Sequence, residues 1–526
     1  MLLQPQSRSP MPKWFNTAGP CKTEIHYMLH PTARLPEIVD LIDQQNYFVI
    51  HAPRQVGKTT AMLALAQELT TQGDYTAVLL SMEVGAAFPD QPGMAESAIL
   101  DEWRDAARTY LPVDLCPPPW PNAEPGRRIG SALTAWAECS PLPLVVFLDE
   151  IDALADQTLI SILRQLRSGY VRRPRHFPHS LGLIGMRDVR DYKVKSGGSD
   201  RLNTASPFNI KVESLTIENF SFEEVKELYQ QHTESTGQLF TPEAINHAFY
   251  LTDGQPWLVN ALARQATQVL VKDVSQPITI EVIEKAKEIL IQRQDTHLDS
   301  LAERLRETRV KTIIEPILAG QELPDVPQDD IRYVLDLGLC RDANGRGLEV
   351  ANPIYREVLP RVLSYTTRAS IGAIEPRWLS ATGELIPEQL LAALLEFWRQ
   401  HGEPLFRSTP YPEIAPHLVL MAFLHRVVNG GGTLEREYAI GSGRMDLCLR
   451  YGAVTLAMEL KVWKEGKKDP LPEGLKQLDK YLSGLGLDTG WLVIFDRRPG
   501  LPPLSDRTTT EQAMSPAGRP IVVIRG

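Results

Sequence analysis

Short, predominantly apolar runs without charged residues recur through the first part of the chain. They are Tyr47-Phe48-Val49-Ile50, Thr76-Ala77-Val78-Leu79-Leu80-Ser81, Leu144-Val145-Val146-Phe147-Leu148 and Ser180-Leu181-Gly182-Leu183-Ile184-Gly185. A strand without polar alternation is one buried on both faces, as in a parallel sheet covered by helices. Helix-length segments separate the runs: Leu35 to Ile42, Ala61 to Leu69, Met94 to Tyr110, a segment ending near Cys139, and Thr158 to Tyr170. This alternation predicts an α/β fold with a doubly wound parallel sheet, over residues 21–215. Residues 1–20, rich in Pro and Ser, read as a flexible N-terminus.

The pattern then changes. Ser221 stands before Phe222-Glu223-Glu224, a helix N-cap with acids in the first turn, and opens an all-helical stretch over 216–299. Over 300–365, two helices are followed by Leu335 to Cys340, an Asn344-Gly345 turn and Leu348-Glu349-Val350, the order of a winged helix. Its second helix, roughly Asp329 to Leu337, carries only Arg332 as a basic residue, which favours packing over DNA contact. A linker is expected over 366–386 and a separate α/β unit over 387–526. In that unit the pattern predicts helices at Glu388–Gln400, Ala415–Val428 and Gly474–Leu485. Strands are expected at Thr433–Ile440, Arg444–Arg450, Thr455–Trp463 and Trp491–Phe495.

Two stretches carry nucleotide chemistry. The first apolar strand runs into His51-Ala52-Pro53-Arg54-Gln55-Val56-Gly57-Lys58-Thr59-Thr60, and a breaker-free helix follows. In that context the loop N–H groups and the helix N-terminus face phosphates, Lys58 reaches them, and the Thr59 hydroxyl ligates Mg²⁺. Ala52 stands where the usual pattern has its first glycine. The third apolar strand ends in Asp149-Glu150-Ile151-Asp152, acids at the C-terminal edge where open α/β sheets place their chemistry. Asp149 is expected to hold Mg²⁺ through water and Glu150 to orient the attacking water. Arg187, at the tip of the fourth strand, is either a γ-phosphate sensor or a solvated loop arginine. Pro256 and Trp257 open a helix and either pack on adenine or form a structural corner. Arg164, Arg167, Arg172, Arg173 and Arg175 form a basic cluster in an otherwise acidic chain. It reads as a nucleic-acid track, a face toward a neighbouring subunit's nucleotide, or a solvated surface.

The second chemistry lies in Thr455-Leu456-Ala457-Met458-Glu459-Leu460-Lys461-Val462. Strand alternation puts residues 456, 458, 460 and 462 on one apolar face and Glu459 with Lys461 on the other. Charges in an otherwise apolar strand need a metal, a substrate or each other. A hairpin with the preceding strand brings Asp446 beside Glu459, so that two carboxylates can hold Mg²⁺ while Lys461 positions or activates water against a phosphodiester. Gln477 and Tyr481 share one face of the following helix. Glu224-Val225-Lys226 and Glu465-Gly466-Lys467 repeat the Glu-x-Lys spacing without that strand context.

The chain of 526 residues is 43% hydrophobic and 23% charged, ordinary for a globular protein, with a net charge of −10 that argues against a general basic coat. Its five cysteines are scattered, which fits a reducing compartment and no zinc site. No run has the length of a membrane span or the apolar core of a signal peptide, so a cytoplasmic protein without membrane contact is expected.

The first 365 residues resemble prokaryotic AAA-like P-loop ATPases of the STAND and archaeal-ATPase group. The resemblance rests on Ala52 to Thr60, Leu148 to Asp152, Arg187 and Gly254-Gln255-Pro256. It implies ATP bound by Arg54, Gln55, Val56, Gly57, Lys58, Thr59 and Thr60 with Asp149, Arg187 on the γ-phosphate and Pro256 near the adenine. The C-terminal unit resembles PD-(D/E)XK nucleases of restriction-endonuclease-like fold. Glu437, Asp446, Glu459, Lys461 and Gln477 stand at the motif positions, with Glu435 an equal competitor for the first. The pair implies an ATP-regulated, Mg²⁺- or Mn²⁺-dependent nuclease acting on nucleic acid, DNA foremost, with homo-oligomers and a role in prokaryotic defence. The alternative is a signalling ATPase whose C-terminal unit only binds nucleic acid or a partner.

Overall fold

The computed structural model describes residues 13–30, 32–186, 213–293, 303–318, 323–343, 347–363, 376–408, 415–428, 432–440 and 443–526. The chain divides into two compact units, Met1–Arg293 with Ile331–Cys340, and Gln294–Asp330 with Arg341–Gly526. The segment read as a winged helix is thus shared between them.

The first unit is built on a five-stranded sheet of β1 (Tyr47–His51), β2 (Thr76–Ser81), β3 (Leu144–Asp149), β4 (Ser180–Gly185) and β5 (Glu213–Thr216). The order is β2-β3-β4-β1-β5 and every neighbouring pair is parallel. The apolar runs are strands because both faces are covered. Phe48 and Ile50 of β1 pack with α1 (Ile38–Asp43) and α2 (Lys58–Gln72) in one core layer. Tyr47 and Val49 face the opposite layer, beneath α3 (Pro92–Tyr110), α4 (Arg128–Cys139) and α5 (Asp156–Gly169). Trp103 and Trp136 are fully buried there and donate their indole N–H to Ser81 O and Leu115 O, each at 3.1 Å. Because β4 lies between β1 and β3, the phosphate-loop and acidic strands are not neighbours, and their C-terminal ends flank a third.

A helical part follows: α6 (Phe222–Thr236), α7 (Pro242–Thr252), α8 (Pro256–Arg264) and α9 (Ile280–Arg293). The expected cap at Ser221 is a full capping box, its hydroxyl accepting from Glu224 N while the Glu224 carboxylate accepts from Ser221 N. Within the stretch expected to be loose to residue 20, Trp14 to Thr17 are packed, while Lys13 and Ala18 to Pro20 are exposed. Phe15, only 1% exposed, sits among Tyr27, Tyr229, His232 and Phe240. The physical reason is aromatic burial, which outweighs the local Pro and Ser content.

Past α9 the chain forms α10 (Thr308–Leu318), α11 (Gln328–Asp336) and α12 (Pro353–Leu363), with β6 (Cys340–Asp342) paired to β7 (Leu348–Val350); Ile331–Cys340 of this stretch belong to the first unit and the rest to the second. The Asn344-Gly345 turn lies outside the described residues. The larger sheet has six strands in the order β12-β13-β11-β10-β9-β8. They are β8 (Thr433–Ile440), β9 (Gly443–Tyr451), β10 (Val454–Trp463), β11 (Gly490–Asp496), β12 (Thr509–Met514) and β13 (Pro520–Arg525). The β8-β9-β10 meander is antiparallel, β10, β11 and β13 are parallel, and β12 returns antiparallel. Helices α13 (Pro387–Ser408) and α14 (Ala415–Val428) cover one face, and α15 (Leu471–Leu485) covers the other.

Candidate functional sites

The phosphate loop leaves β1 and enters α2 through backbone that only a few residues adopt readily. Gln55 has φ +61° and Gly57 φ +96°, and left-handed residues in such a loop turn successive N–H groups into one concavity. Lys58 opens α2, and its Nζ donates to the carbonyls of Ala52 and Pro53, both at 2.8 Å. Burial pulls the Lys58 ammonium down to about 8, partly opposed by the negative charges of Asp152 and Asp149. Thr59 donates its hydroxyl hydrogen to Asp149 Oδ2 at 2.7 Å, so the loop and the acidic strand meet as the two motifs require. The Thr60 hydroxyl accepts from Cys21 N at 3.1 Å.

The buried Asp149 carboxylate accepts a second bond from Glu150 N at 2.9 Å, and Glu150 itself is left-handed at φ +57°. A non-glycine residue held in the left-handed region is strain of the kind that clusters at functional sites. Burial, then a hydrogen bond with Glu83, pushes the Glu150 carboxyl up to about 7. Asp152 Oδ2 accepts from Met186 N at 3.3 Å, tying the acidic strand to the tip of β4. Arg187, the next residue, lies outside the described residues.

Three partners of this site escaped the sequence reading. Arg34 donates to Val56 O of the loop at 3.0 Å and to Glu218 O at 2.8 Å, with its guanidinium 4.8 Å from the Phe220 ring centroid. Glu83, just past β2, is the partner of Glu150. Asp152 stands within the acidic motif, and its role there is the bond to Met186 N. Arg34 and Glu83 have no local signal, since each acts across a sequence separation that only the sheet order closes. Pro256 and Trp257 prove to be buried, with Trp257 Nε1 donating to Thr17 O at 2.9 Å and Gln255 Oε1 capping α8 through Leu258 N at 2.7 Å.

The second candidate site forms on β9, β10 and α15. Leu456, Met458 and Leu460 point into the core beneath α13 and α14, while Ala457 faces Leu478 and Leu482 of α15. Glu459 and Lys461 follow Ala457 on that second face, as the alternation required. The register pairs Met458 with Leu447, which brings Asp446 alongside Glu459, and Asp446 Oδ2 accepts from Leu460 N at 2.7 Å. Glu459 is 3% exposed, and its Oε1 accepts from Lys461 Nζ at 2.8 Å. Its other oxygen, Oε2, is buried and has no hydrogen-bond partner among the described residues.

A buried carboxylate oxygen without a donor costs several kcal/mol unless it takes up a proton or a cation. Burial, then the charge of Asp446, pushes the Glu459 carboxyl up to about 8, against the opposing pull of Lys461. Tyr481 belongs to the same group, its hydroxyl raised to about 12 by burial and by the charges of Glu459 and Asp446. Gln477, four residues before it, donates to Glu473 Oε1 at 3.4 Å and leaves its own Oε1 buried without a partner. Glu437 lies on β8 between the register pairs Arg436–Leu447 and Tyr438–Met445. Its side chain, like that of Glu435, lies outside the described residues. Among the described residues no group of three or more His, Cys, Asp and Glu side chains gathers as a metal cluster. The acceptor-only set of Asp446 and Glu459, with one oxygen orphaned, nevertheless fits a hard divalent cation. Of the two decoys, Glu224 and Lys226 lie in α6, and Glu465 and Lys467 in the turn after β10.

Among the described residues no helix is long and apolar enough to cross a membrane, and all five cysteines are free thiols. No protein-family model matches the chain, and no curated protein matches it. Solved structures do. The Walker-type ATPase PABY2304 of Pyrococcus abyssi is 13% identical at a TM-score of 0.46, covering 66% of this chain and 99% of its own. The RuvB Holliday junction branch migration motor of Thermotoga maritima is 15% identical at a TM-score of 0.33, over 60% of this chain and 89% of its own. The ORC2 protein of Aeropyrum pernix is 13% identical at a TM-score of 0.36, over 64% of this chain and 93% of its own.

Proposed function

We propose that the chain is an ATP-regulated, metal-dependent nuclease that hydrolyses phosphodiester bonds, with DNA as its substrate. The observation that carries the nuclease reading is Glu459. A carboxylate buried on a central strand, with Asp446 beside one flank, Lys461 on one oxygen and nothing on the other, is costly unless it serves chemistry. Asp446 and Glu459 would hold the cation, and Mg²⁺ or Mn²⁺ there supplies Lewis-acid polarisation of the phosphate and a more acidic water. Lys461 keeps a compact positive charge against Glu459, positioned to stabilise charge developing on a phosphodiester. The orphaned amide oxygen of Gln477 adds an acceptor for a water or a cation.

The ATPase reading rests on the bond between Thr59 and Asp149 and on the position of Lys58. Loop N–H groups from Arg54 to Thr60 would bind the phosphates and Lys58 would neutralise them. Thr59 and Asp149 would hold Mg²⁺, and Glu150, left-handed and raised to about 7, would orient and deprotonate the attacking water. Supercoiled plasmid incubated with the full chain and Mg²⁺ or Mn²⁺, with and without ATP, tests the proposal. Nicked and linear products that require the cation and change in yield with ATP are expected. Intact plasmid under every condition would refute the nuclease reading, and unchanged yields would refute the regulation by ATP.

A further inference from the structure

The basic cluster of the first unit separates, in three dimensions, into Arg173, held by backbone and ring contacts, and arginines that line a groove, of which Arg172 also has its guanidinium 5.4 Å from the Phe177 ring centroid. Arg173 Nη1 donates to Gln45 O, and its guanidinium lies 3.4 Å from the Tyr170 ring centroid and 5.1 Å from that of Tyr47. Arg164 and Arg172 instead line a surface groove of about 680 Å³ between α4 and α5, where Arg127 joins them from the other side. All three are exposed, and none has an acidic partner among the described residues. Three unneutralised guanidinium groups on one groove are unusual in a chain of net charge −10.

Hydroxyls of Ser131 and Thr134 on α4 and of Ser161 on α5 line the groove beside the arginines, together with apolar residues such as Pro92, Ala135 and Ile160. Its floor is rigid and already satisfied. Gln165 Oε1 accepts from Gly130 N at 2.9 Å and Gln165 Nε2 donates to the fully buried Glu96 at 2.6 Å, while Gly126 N donates to the other Glu96 oxygen at 2.7 Å. The acid on the lining, Glu138, is engaged by His176 Nδ1 at 2.7 Å. The groove therefore presents donors and positive charge on a fixed base, with no hydrogen-bond demand of its own left in the floor.

We infer that this groove binds the phosphate backbone of duplex nucleic acid, as a contact surface separate from the Glu459 site. Arg164 lies on α5 and Arg172 in the 3₁₀ turn that follows it, Tyr170–Arg172, so the run between them is about 13 Å at roughly 1.5 Å per residue in the α-helix and 2 Å in the turn. That length spans several phosphates, which recur about every 3.4 Å of axis along each strand. Guanidinium and hydroxyl groups are the side chains that bond phosphate oxygens, fixing register without reading sequence. The lining contains no aromatic side chain, so bases have no stacking platform and a single strand would lose its main source of affinity. The observations thus favour the duplex backbone, read without sequence preference.

Anisotropy of a dye-labelled duplex tests the groove, with the full chain in EDTA so that nothing is cut, between about 50 and 200 mM KCl. Replacing Arg127, Arg164 and Arg172 together by Ser should weaken binding at least about tenfold and flatten the slope of log K against log salt by about 2 to 3. Replacing all three by Lys should keep most of the slope, which a purely packing role would not do. Circular dichroism and nucleotide binding equal to the parent's confirm that the fold persists. An unchanged slope in the Ser variant, or no duplex binding by the parent, overturns the inference. Lost self-association with unchanged duplex affinity overturns it too, in favour of a second copy as occupant. The inference does not rest on the nuclease reading: the salt slope of the Arg127, Arg164 and Arg172 variants bears on the groove, and cleavage by Lys461→Ala bears on the nuclease reading alone.

Discussion

Thr59 and Asp149 are joined by a 2.7 Å hydrogen bond across 90 residues of chain, the first residue on the opening turn of α2 and the second at the end of β3. With β4 inserted between their strands, this bond is what brings the phosphate loop to the acidic edge. Lys58, one residue earlier, holds the other side of the loop through Ala52 and Pro53. Glu150, one residue later than Asp149, turns left-handed and points its chemistry elsewhere, toward Glu83. Neighbouring residues therefore carry separate tasks, and substitutions can split them.

Lys58→Ala should abolish nucleotide binding, because the ammonium is the loop's own countercharge. Glu150→Gln should bind nucleotide with near-parental affinity and hydrolyse it on the order of 100-fold more slowly, having lost only a base. Equilibrium binding of a fluorescent nucleotide and steady-state phosphate release measure the two effects. Parental turnover in Glu150→Gln would assign the water-orienting role to another acid, Asp152 first.

Gly254 is irreplaceable for a steric reason. Its φ is +68°, and a Cβ built there would lie 1.8 Å from Phe220 O, whose residue's N–H donates to Gly254 O at 2.8 Å. No rotamer relieves a clash with backbone. Gly254→Ala should destabilise the first unit by about 3 kcal/mol or more, through strain at a left-handed residue and loss of that close approach. Urea unfolding followed by fluorescence reads the shift, and a loss below about 1 kcal/mol would mean that the 217–220 segment moves freely.

How much of this was legible in the sequence depended on whether the signal was local. Tyr47 to Ile50 and Leu144 to Leu148 announced themselves because both faces of each strand are covered, leaving no charged position in the run. The placement of Glu459 and Lys461 opposite Met458 and Leu460 followed from alternation alone. β12 was illegible, since it is an edge strand with mostly exposed residues and no apolar face. β5, with two half-buried and two exposed residues at the other sheet's edge, gave as little. Arg34 was invisible for a different reason: its bonds to Val56 and Glu218 exist only once the sheet has assembled. The arginine cluster was legible as composition, but its division into Arg173, packed on tyrosines, and a free-facing groove was not.

Glu284 gives the first unit a measurable acid response. Burial raises its carboxyl, but the hydrogen bond with His247 and the charge of Lys287, whose Nζ lies 2.8 Å away, outweigh that and hold it down at about 2. The folded value lies below the ordinary 4.5, so the stabilisation is complete above pH 4.5 and is lost as pH falls through about 2. Glu284→Gln lacks it. The difference in urea midpoint between parent and variant should therefore be largest above pH 4.5 and close toward pH 2. A gap that stays constant with pH would show that the pair stabilises by packing and not by charge.

Lys461→Ala decides the second site. The 2.8 Å contact with Glu459 Oε1 makes Lys461 a cation at the proposed site, so its removal takes away a positive charge that would face a developing phosphorane. Cleavage should fall on the order of 100-fold or more in both Mg²⁺ and Mn²⁺. Removing one partner of a buried pair usually unfolds marginal proteins, by about 3–5 kcal/mol, because the survivor keeps its charge. Here the survivor can discard it: burial, then the charge of Asp446, push the Glu459 carboxyl up, and losing the opposing pull of Lys461 pushes it further, so that it stays buried as the acid. The variant should accordingly remain folded, with a melting temperature within a few degrees of the parent and unaltered ATP hydrolysis. Lys461→Arg separates the remaining explanations, since it restores the charge while changing its shape and hydrogen bonding. Partial recovery of cleavage in Arg, with none in Ala, assigns Lys461 an electrostatic role. Parental cleavage by a folded Lys461→Ala protein in either metal would remove the nuclease assignment altogether.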